Sequence, residues 1–301
     1  MGALHHFLGI EVTRDSQGLT LSQGRYAREL LDRASMGECK PIATPMPIKG
    51  RTHASTTAYC NPTYNRKLVG GLQYLTFTRP DLSYSVNFVC QFMHAPTMEH
   101  FQLVKRILHY VHGTLNLTFR ILAASSLDLY AFSDADWAGC SLTQRSTTGF
   151  CTFLGSNCIS WSAKKQQIVA RSSTEAEYRS MASTAAKLTW LTFILRDLHV
   201  PLSRPPILHC DNLSALHLSV NPVLHTRTKH IALDIHYVRE QVALGALETR
   251  FVTSSLQLAD IFTKPLAKLP FQTIRSKLSL CPDLRLRLRG DDKINLQDIN
   301  P

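Results

Sequence analysis

Residues 1–123 combine a strand pattern at their start with helical periodicity further on. Apolar stretches at 7–12 and 19–21 flank a polar turn, and this arrangement predicts an N-terminal β-hairpin. Prolines and polar residues between 41 and 63 are typical of a loop or linker. Apolar residues recur at helical spacing over 64–115, so the remainder of this part is predicted to be mainly helical.

Beyond residue 123 the pattern changes to short apolar stretches that alternate with helical ones. The predicted elements follow in this order: strands at 127–133, 148–154 and 158–162, a helix over roughly 175–198, a strand at 207–210, helices from about 212 and over 229–244, and a strand at 248–252 with further helices after it. Five strands interspersed with helices predict an α/β domain over 124–281. The tail, 282–301, balances its basic and acidic residues and is predicted to be disordered.

Charge and cysteine usage narrow the class of protein. The formal net charge is +11, which indicates an acidic partner: nucleic acid is the first candidate and a membrane surface the second. No apolar run reaches membrane-spanning length and no signal-peptide pattern is present, so an intracellular protein of the cytoplasm or nucleus is expected. Eight scattered cysteines without a Cys-x-x-Cys pair exclude a zinc ribbon and a disulfide scaffold.

Four acidic residues lie where an α/β sheet exposes side chains near strand ends. Asp134 ends the first predicted strand of the α/β domain, Glu177 lies in the first turn of the long helix, Asp211 follows the strand at 207–210, and Asp260 opens a helix. The carboxyl ends of strands are where sites collect in such sheets. Clustered carboxylates repel one another unless cations neutralise them, so the set is typical of a Mg²⁺ site with oxygen ligands.

The two glutamates at the start of the long helix also have a structural interpretation. Ser172-x-x-Glu175 and Thr174-x-x-Glu177 form overlapping capping boxes. Spacing alone favours capping for either glutamate.

The aspartates leave alternatives open as well. Asp211 and Asp260 could each cap the helix that follows. Asp134 could be a turn residue, with Asp136 as the ligand in its place, because neither face of the strand is cleanly apolar.

Basic and hydroxyl side chains are candidates for nucleic-acid contact. Cations before the long helix could bind phosphates or belong to a solvated turn, and the hydroxyls at 172–174 could reach a 2′-hydroxyl or cap the helix. A basic run at 225–230 favours nucleic-acid contact over plain surface. The candidates are Lys164, Lys165, Arg171, Ser172, Ser173, Thr174, Asn212, His225, Arg227, Lys229 and His230.

Several motifs of the second half resemble the ribonuclease H of copia-type retrotransposons. They are Ser133-Asp134-Ala135-Asp136-Trp137-Ala138-Gly139, Arg145-Ser146-Thr147-Thr148-Gly149, Ile159-Ser160-Trp161, Ser172-Ser173-Thr174-Glu175-Ala176-Glu177-Tyr178, Cys210-Asp211-Asn212, Arg227-Thr228-Lys229-His230 and Ala259-Asp260-Ile261-Phe262-Thr263-Lys264-Pro265-Leu266. They occur in the order of the family across about 130–280. The first half resembles the thumb and connection region of the same polyprotein's reverse transcriptase, through Phe7-Leu8-Gly9-Ile10, Thr44-Pro45-Met46, Leu68-Val69-Gly70-Gly71-Leu72-Gln73-Tyr74-Leu75, Thr78-Arg79-Pro80-Asp81 and Lys105-Arg106-Ile107-Leu108.

The resemblance implies a fold, a cofactor and a substrate. The fold is a ribonuclease H-like mixed five-stranded sheet flanked by helices, preceded by a smaller mainly helical domain with an N-terminal hairpin. The implied ligands of two Mg²⁺ ions, with Mn²⁺ as a possible substitute, are Asp134, Glu177, Asp211 and Asp260. Glu177 is chosen over Glu175 because Ala176-Glu177-Tyr178 fits the Ala-Glu-Leu pattern of retroviral ribonucleases H. The implied reaction is hydrolysis of the RNA strand of RNA–DNA hybrids.

One departure from the family limits the expected activity. The palm of a reverse transcriptase needs an aspartate pair, and no Asp-Asp occurs before Asp291-Asp292. We therefore expect no polymerase activity from this chain alone, and the palm and fingers segments are potential partners. The alternative function is a catalytically silent nucleic-acid-binding remnant of a truncated retroelement.

Overall fold

Two five-stranded sheets organise the chain in the computed structural model, which describes residues 4–48, 57–220 and 231–283. The first sheet takes its strands from both ends of the described chain. The second is built from strands that lie between residues 129 and 251. Within the described ranges, no helix is both long enough and apolar enough to cross a lipid bilayer.

Among the described residues, the first part of the chain supplies four strands and four α-helices. In chain order they are β1 (His6–Phe7), β2 (Ile10–Asp15), β3 (Gly18–Ser22), α1 (Gly24–Arg33), α2 (Pro62–Leu75), α3 (Ser83–Cys90), α4 (Met98–His112) and β4 (Leu117–Leu122). The predicted hairpin is confirmed as β2 and β3, which pair antiparallel. Asp15 closes its turn by accepting hydrogen bonds from the backbone N–H groups of Gln17 and Gly18.

The second part supplies the remaining six strands and four helices. They are β5 (Leu129–Asp136), β6 (Thr147–Leu154), β7 (Asn157–Lys165), α5 (Ser173–Asp197), β8 (Ile207–Cys210), α6 (Leu213–Val220), α7 (Ala232–Ala243), β9 (Glu248–Phe251), α8 (Lys268–Ser276) and β10 (Leu280–Pro282). Most of the predicted tail, from residue 284 onward, lies outside the described residues.

The second sheet has the order β7-β6-β5-β8-β9. The three strands β5, β6 and β7 pair antiparallel, whereas β8 joins β5 and β9 joins β8 in parallel. This mixed five-stranded sheet with flanking helices confirms the predicted ribonuclease H-like fold class. Two details of the prediction are wrong: β5 continues past Asp134 to Asp136, and α5 begins at Ser173, which places Glu177 in its second turn.

Packing is continuous across the predicted boundary between residues 123 and 124. Strand β10, which follows the second sheet in sequence, pairs with β4 at the edge of the first sheet. One apolar cluster joins Leu72 of α2 and Ile107 of α4 to Phe153 of β6 and Phe262. The two parts therefore support each other, and the boundary itself stays a prediction.

A buried ion pair fixes the loop that separates α2 from α3. The guanidinium of Arg79 donates to both carboxylate oxygens of Asp81, at 2.9 and 2.8 Å, and also to Thr114. Tyr110 of α4 donates to Asp81 Oδ2 at 2.5 Å. Burial alone would raise the pKa of Asp81, but Arg79 and Tyr110 hold it below its usual value. The Arg79 and Asp81 charges are thus satisfied only as a set.

Removing one charge of this set should destabilise the protein strongly. Asp81→Asn leaves the buried Arg79 without its counter-ion and should lower the free energy of unfolding by about 3–5 kcal/mol. Tyr110→Phe removes the hydrogen bond to the Asp81 carboxylate and the one that the hydroxyl accepts from Arg275, but it leaves the ion pair intact and should cost only about 2 kcal/mol. Urea unfolding followed by circular dichroism measures both; equal losses in the two variants would contradict this ranking.

Gly149 makes room for the segment that carries Asp260. It lies on β6 directly opposite Asp134 in the β5–β6 ladder. A Cβ atom at this position would come within 2.5 Å of Thr263 Cγ2 and 2.9 Å of Phe262 Cβ. The 3₁₀ turn Leu258–Phe262 can therefore pack on the sheet only because residue 149 has no side chain.

Gly149→Ala should push this turn off the sheet and lower the free energy of unfolding by about 1–3 kcal/mol. Gly70→Ala is the matched control, because it lies within helix α2 and an added Cβ there meets nothing within 4 Å. Alanine at that position should instead stabilise the protein by about 0.5–1 kcal/mol. Chemical unfolding of both variants measures these changes. An unchanged free energy of unfolding in Gly149→Ala would show that the turn tolerates displacement.

Candidate metal centre

The sheet brings two of the predicted acids to the same edge. In the parallel ladder Phe132 of β5 pairs with His209 of β8, and Asp134 and Asp211 each follow two residues later. Helix α5 packs across β5 and carries Glu177 toward this edge. Asp260 approaches from the 3₁₀ turn that packs over Gly149.

The four predicted acids share one pocket. Carboxylate oxygens of Asp134, Asp211 and Asp260 lie within 4.8 Å of one another. A second group, Glu177, Cys210 and Asp211, meets the same limit, and Glu177 also interacts directly with Asp134. Asp134 and Glu177 are buried, with 3% and 7% of their surface exposed.

Hydrogen bonds to the backbone hold the strand that carries Asp134. Ser180 of α5 donates to the carbonyl oxygen of Asp134 at 2.8 Å and accepts from Ser133 Oγ at 2.9 Å. Gln257 donates to the carbonyl oxygen of Ser133 at 3.0 Å. Helix α5, strand β5 and the segment of Gln257 are therefore held together next to the acids. These bonds fix the position of the backbone that carries Asp134.

Mutual repulsion and burial shift the pKa values of the acids. Burial, together with the charges of Asp134 and Asp211, raises the pKa of Glu177 well above its usual value. Burial and Asp134 raise the pKa of Asp260 in the same way. Glu177 Oε2 is buried and has no hydrogen-bond partner among the described residues. Such a site is electrostatically costly and favours cations.

The donor chemistry fits hard divalent ions. Carboxylate oxygens are the ligands that Mg²⁺ and Mn²⁺ prefer. Cys210 is the sole sulfur in the two acidic groups, and burial raises the pKa of its thiol, which keeps it protonated. The unpartnered Glu177 Oε2 offers a further free oxygen.

Asp136, the alternative to Asp134, is engaged elsewhere. Its Oδ1 accepts a hydrogen bond from the backbone N–H of Thr147, across the β5–β6 ladder. Its Oδ2 lies against Gly139, where an added Cβ would come within 1.9 Å. Burial raises the pKa of Asp136 to about 7. This residue therefore stabilises the loop between the two strands.

The helix caps are also accounted for without the predicted ligands. Ser172 caps α5 by accepting from the backbone N–H of Glu175, and the Glu175 carboxylate accepts from the backbone N–H of Arg171 and pairs with Arg179. Ser172 thus supplies the cap predicted at this position, and Glu175 binds the residue before the cap, while Glu177 faces the acids.

The two aspartate caps considered above are filled by amide side chains. Asn212 caps α6 by accepting from the backbone N–H of Ala215 at 3.0 Å. Gln257 caps the 3₁₀ turn by accepting from Ala259 at 3.2 Å. Asp211 and Asp260 are left free of this role.

The predicted nucleic-acid contacts are placed unevenly. Lys164 and Lys165 end β7 and line a cavity of about 430 Å³ together with Arg179 and Ser183. Lys165 also donates to Gln91 and contacts Cys140 Sγ at 2.7 Å.

The remaining candidates for nucleic-acid contact lie at the start of α5 or outside the described residues. Arg171, Ser172 and Ser173 are exposed there and Thr174 is half-buried. The four basic residues His225, Arg227, Lys229 and His230 lie outside the described residues.

Three polar residues contact the acids without having been predicted. Thr263 donates to Asp134 Oδ2, Ser254 donates to Asp211 Oδ2 at 2.9 Å, and Lys264 Nζ lies 2.8 Å from Asp260 Oδ1. Burial would lower the pKa of Lys264, but the carboxylates of Asp134 and Asp260 raise it above its usual value. Its spacing of four residues from Asp260 was the available signal, because such pairs meet on a helical turn.

Comparison with known sequences finds transposon polyproteins among the relatives of this chain. The retrovirus-related Pol polyprotein from transposon RE1 of Arabidopsis thaliana is 50% identical over 278 residues, which is 92% of this chain and 19% of that protein. The corresponding polyprotein from transposon TNT 1-94 of Nicotiana tabacum is 33% identical over 299 residues, or 94% of this chain and 22% of that protein. The chain thus spans about a fifth of the length of these curated relatives.

Comparison with solved structures gives weaker likenesses. A foamy viral protease-reverse transcriptase in complex with an RNA/DNA hybrid matches with a TM-score of 0.42 and 12% identity, over 82% of this chain and 29% of that one. No model of a known protein family matches the chain. The sequence relatives confirm the resemblance carried by the motifs: over 92% of its length, the chain is homologous to part of the retrovirus-related Pol polyproteins of transposons.

Proposed function

We propose that residues 124–281 form a metal-dependent ribonuclease H that hydrolyses the RNA strand of RNA–DNA hybrids. The observation that carries the proposal is the convergence of Asp134, Glu177, Asp211 and Asp260 on one largely buried pocket. Residues 1–123 would then be the thumb and connection region of the same reverse transcriptase. The polymerase palm and fingers are the corresponding partner segments.

The acids would hold Mg²⁺, or Mn²⁺ in its place. Asp134, Asp211 and Asp260 offer oxygens close enough together to share a cation, and Glu177 adjoins Asp134 and Asp211. When bound, a pair of such ions supplies charge neutralisation and a more acidic water for phosphodiester hydrolysis.

The residues of this chain supply orientation around that pocket. Thr263 donates a hydrogen bond to Asp134 Oδ2 and Ser254 donates one to Asp211 Oδ2, and these bonds orient the two carboxylates. Ser180 and Gln257 hold the backbone of β5 in register. Such support keeps ligands in place when substrate binds.

Exposed groups beside the pocket suit the substrate backbone. The hydroxyls of Ser172 and Ser173 and the side chain of Arg171 lie exposed at the N-terminus of α5, where the helix dipole favours anions. Lys164 and Lys165 line the cavity near this terminus and could receive a second phosphate. The net charge of +11 supports a nucleic-acid partner.

Loss of one ligand should abolish cleavage. We expect the purified chain to cut the RNA strand of a labelled hybrid with Mg²⁺ and to lose activity in EDTA. Asp134→Asn and Asp211→Asn should each reduce the rate more than a hundredfold, since even partners of metal ligands are worth about 10–100-fold. Asp197→Asn, at the exposed end of the same helix that carries Glu177, is the control and should cleave normally.

The same assay separates the proposal from its alternative. Hybrid that is bound but never cut, equally with Mg²⁺ and with EDTA, would identify a silent nucleic-acid-binding remnant. If the double variant with Asp134→Asn and Asp211→Asn still cleaves the hybrid, these two residues are not part of the active site.

Neutralising Glu177 should stabilise the metal-free protein. Its folded pKa is raised, so ionisation disfavours the fold, and stability should fall as pH rises above the ordinary pKa of a glutamate. Glu177→Gln removes this penalty and should raise the free energy of unfolding in EDTA by about 1–3 kcal/mol near pH 8. At about pH 3 the gain should vanish, because the wild-type carboxyl is then protonated in both the folded and the unfolded state. A gain that is equal at both pH values would contradict the electrostatic cause.

A further inference from the structure

An ammonium group lies inside the acid cluster. Lys264 Nζ is 2.8 Å from Asp260 Oδ1 and 3.9 Å from Asp134 Oδ2. These are two of the three aspartates whose oxygens lie within 4.8 Å of one another. Lys264 therefore contacts part of the position that a divalent cation would need.

The surroundings of Lys264 allow its ammonium group to leave the aspartates and move into solvent. Its side chain is 44% exposed, whereas those of Asp260 and Asp134 are 13% and 5% exposed, so the ammonium reaches the acids from the solvent side. A lysine is a point charge on a flexible stem and can withdraw into water. Arg179, by contrast, pairs with Glu175 at 3.0 Å through a side chain that is only 16% exposed, so this cation has less access to water than Lys264.

The ammonium of Lys264 and a divalent ion would be attracted by the same carboxylates and would repel each other. Without a divalent ion, the ammonium offsets part of the repulsion between the buried aspartates. With such an ion in the pocket, the same ammonium would repel it at close range. The two cations therefore compete for the same oxygens.

We propose that Lys264 is a built-in counter-ion of the metal-free site, which leaves Asp260 and Asp134 when a divalent ion binds and so sets the metal concentration at which the site fills. The inference rests on the proposed function in that the acids hold metal. Lys264 acts in it as a positioning residue, since its action on the reaction passes through the aspartates. The competing interpretation is a static ion pair that stabilises the turn whether or not metal is present.

Direct metal binding tests the proposal without any assay of cleavage. Mn²⁺ is titrated by calorimetry into wild type, Lys264→Met, Lys264→Gln and Lys264→Arg, and thermal unfolding is followed in EDTA and in Mn²⁺. Lys268→Met is the matched control, because Lys268 is exposed at the start of α8 and its loss changes the net charge equally.

The neutral variants should bind Mn²⁺ roughly threefold to thirtyfold more tightly than wild type, the range expected for losing one nearby positive charge. They should also melt at a lower temperature in EDTA and recover the wild-type melting temperature in saturating Mn²⁺. Lys264→Arg and Lys268→Met should bind Mn²⁺ as wild type does.

Other results overturn the proposal in distinguishable ways. Unchanged or weaker Mn²⁺ binding in both neutral variants, with wild type binding normally, would refute the exchange and leave the proposed function intact. If neither neutral variant folds with or without Mn²⁺, Lys264 is an indispensable structural partner that no ion can replace. Absence of Mn²⁺ binding in wild type would refute both the exchange and the metal site.

Discussion

Repulsion among buried carboxylates is the constraint on which the rest of this structure depends. Asp134, Glu177, Asp211 and Asp260 come from four separate segments and meet in one pocket, where burial raises the pKa values of Glu177 and Asp260. Packing alone would not maintain such a cluster, because each ionised group destabilises its neighbours. The hydroxyl donors Thr263 and Ser254 and the nearby Lys264 partly offset this cost, and a divalent ion would offset it more completely.

The architecture explains how distant acids are kept close against that repulsion. Parallel pairing of β5 with β8 places Asp134 and Asp211 side by side, and α5 is fastened to β5 through Ser180. Gly149 allows the segment of Asp260 to lie flat on the sheet. The apolar cluster shared with α2 and α4 supports the same segment from the other side through Phe262. The first part of the chain therefore contributes to the stability of the pocket without contributing a ligand.

Sequence reasoning predicted the second sheet and its acids because local patterns carry that information. Short apolar strands, turn residues and one long amphipathic helix are visible in windows of ten to twenty residues. Local patterns left the choice between Asp134 and Asp136 open, because β5 runs through both residues and the hydrogen bond that engages Asp136 forms with Thr147 on another strand. Likewise the capping role of Glu175 depends on where α5 begins, and helix ends are the least certain feature of a pattern.

The features that the sequence did not predict are contacts between segments that lie far apart in the chain. Ser254 reaches Asp211 across 43 residues and Thr263 reaches Asp134 across 129, so no local pattern could have revealed either. The pairing of β10 with β4 joins segments that lie even further apart in sequence. Lys264 differs, because its spacing from Asp260 was visible, but spacing shows only that the two side chains can meet and not that they meet among other acids.

The most direct test of the account is a crystal structure of the chain grown with Mn²⁺ and measured for anomalous scattering. Two anomalous peaks are expected roughly 3.5–4 Å apart, bound by oxygens of Asp134, Glu177, Asp211 and Asp260. A well-ordered pocket without a peak at millimolar Mn²⁺, or peaks bound only by other residues, would contradict it.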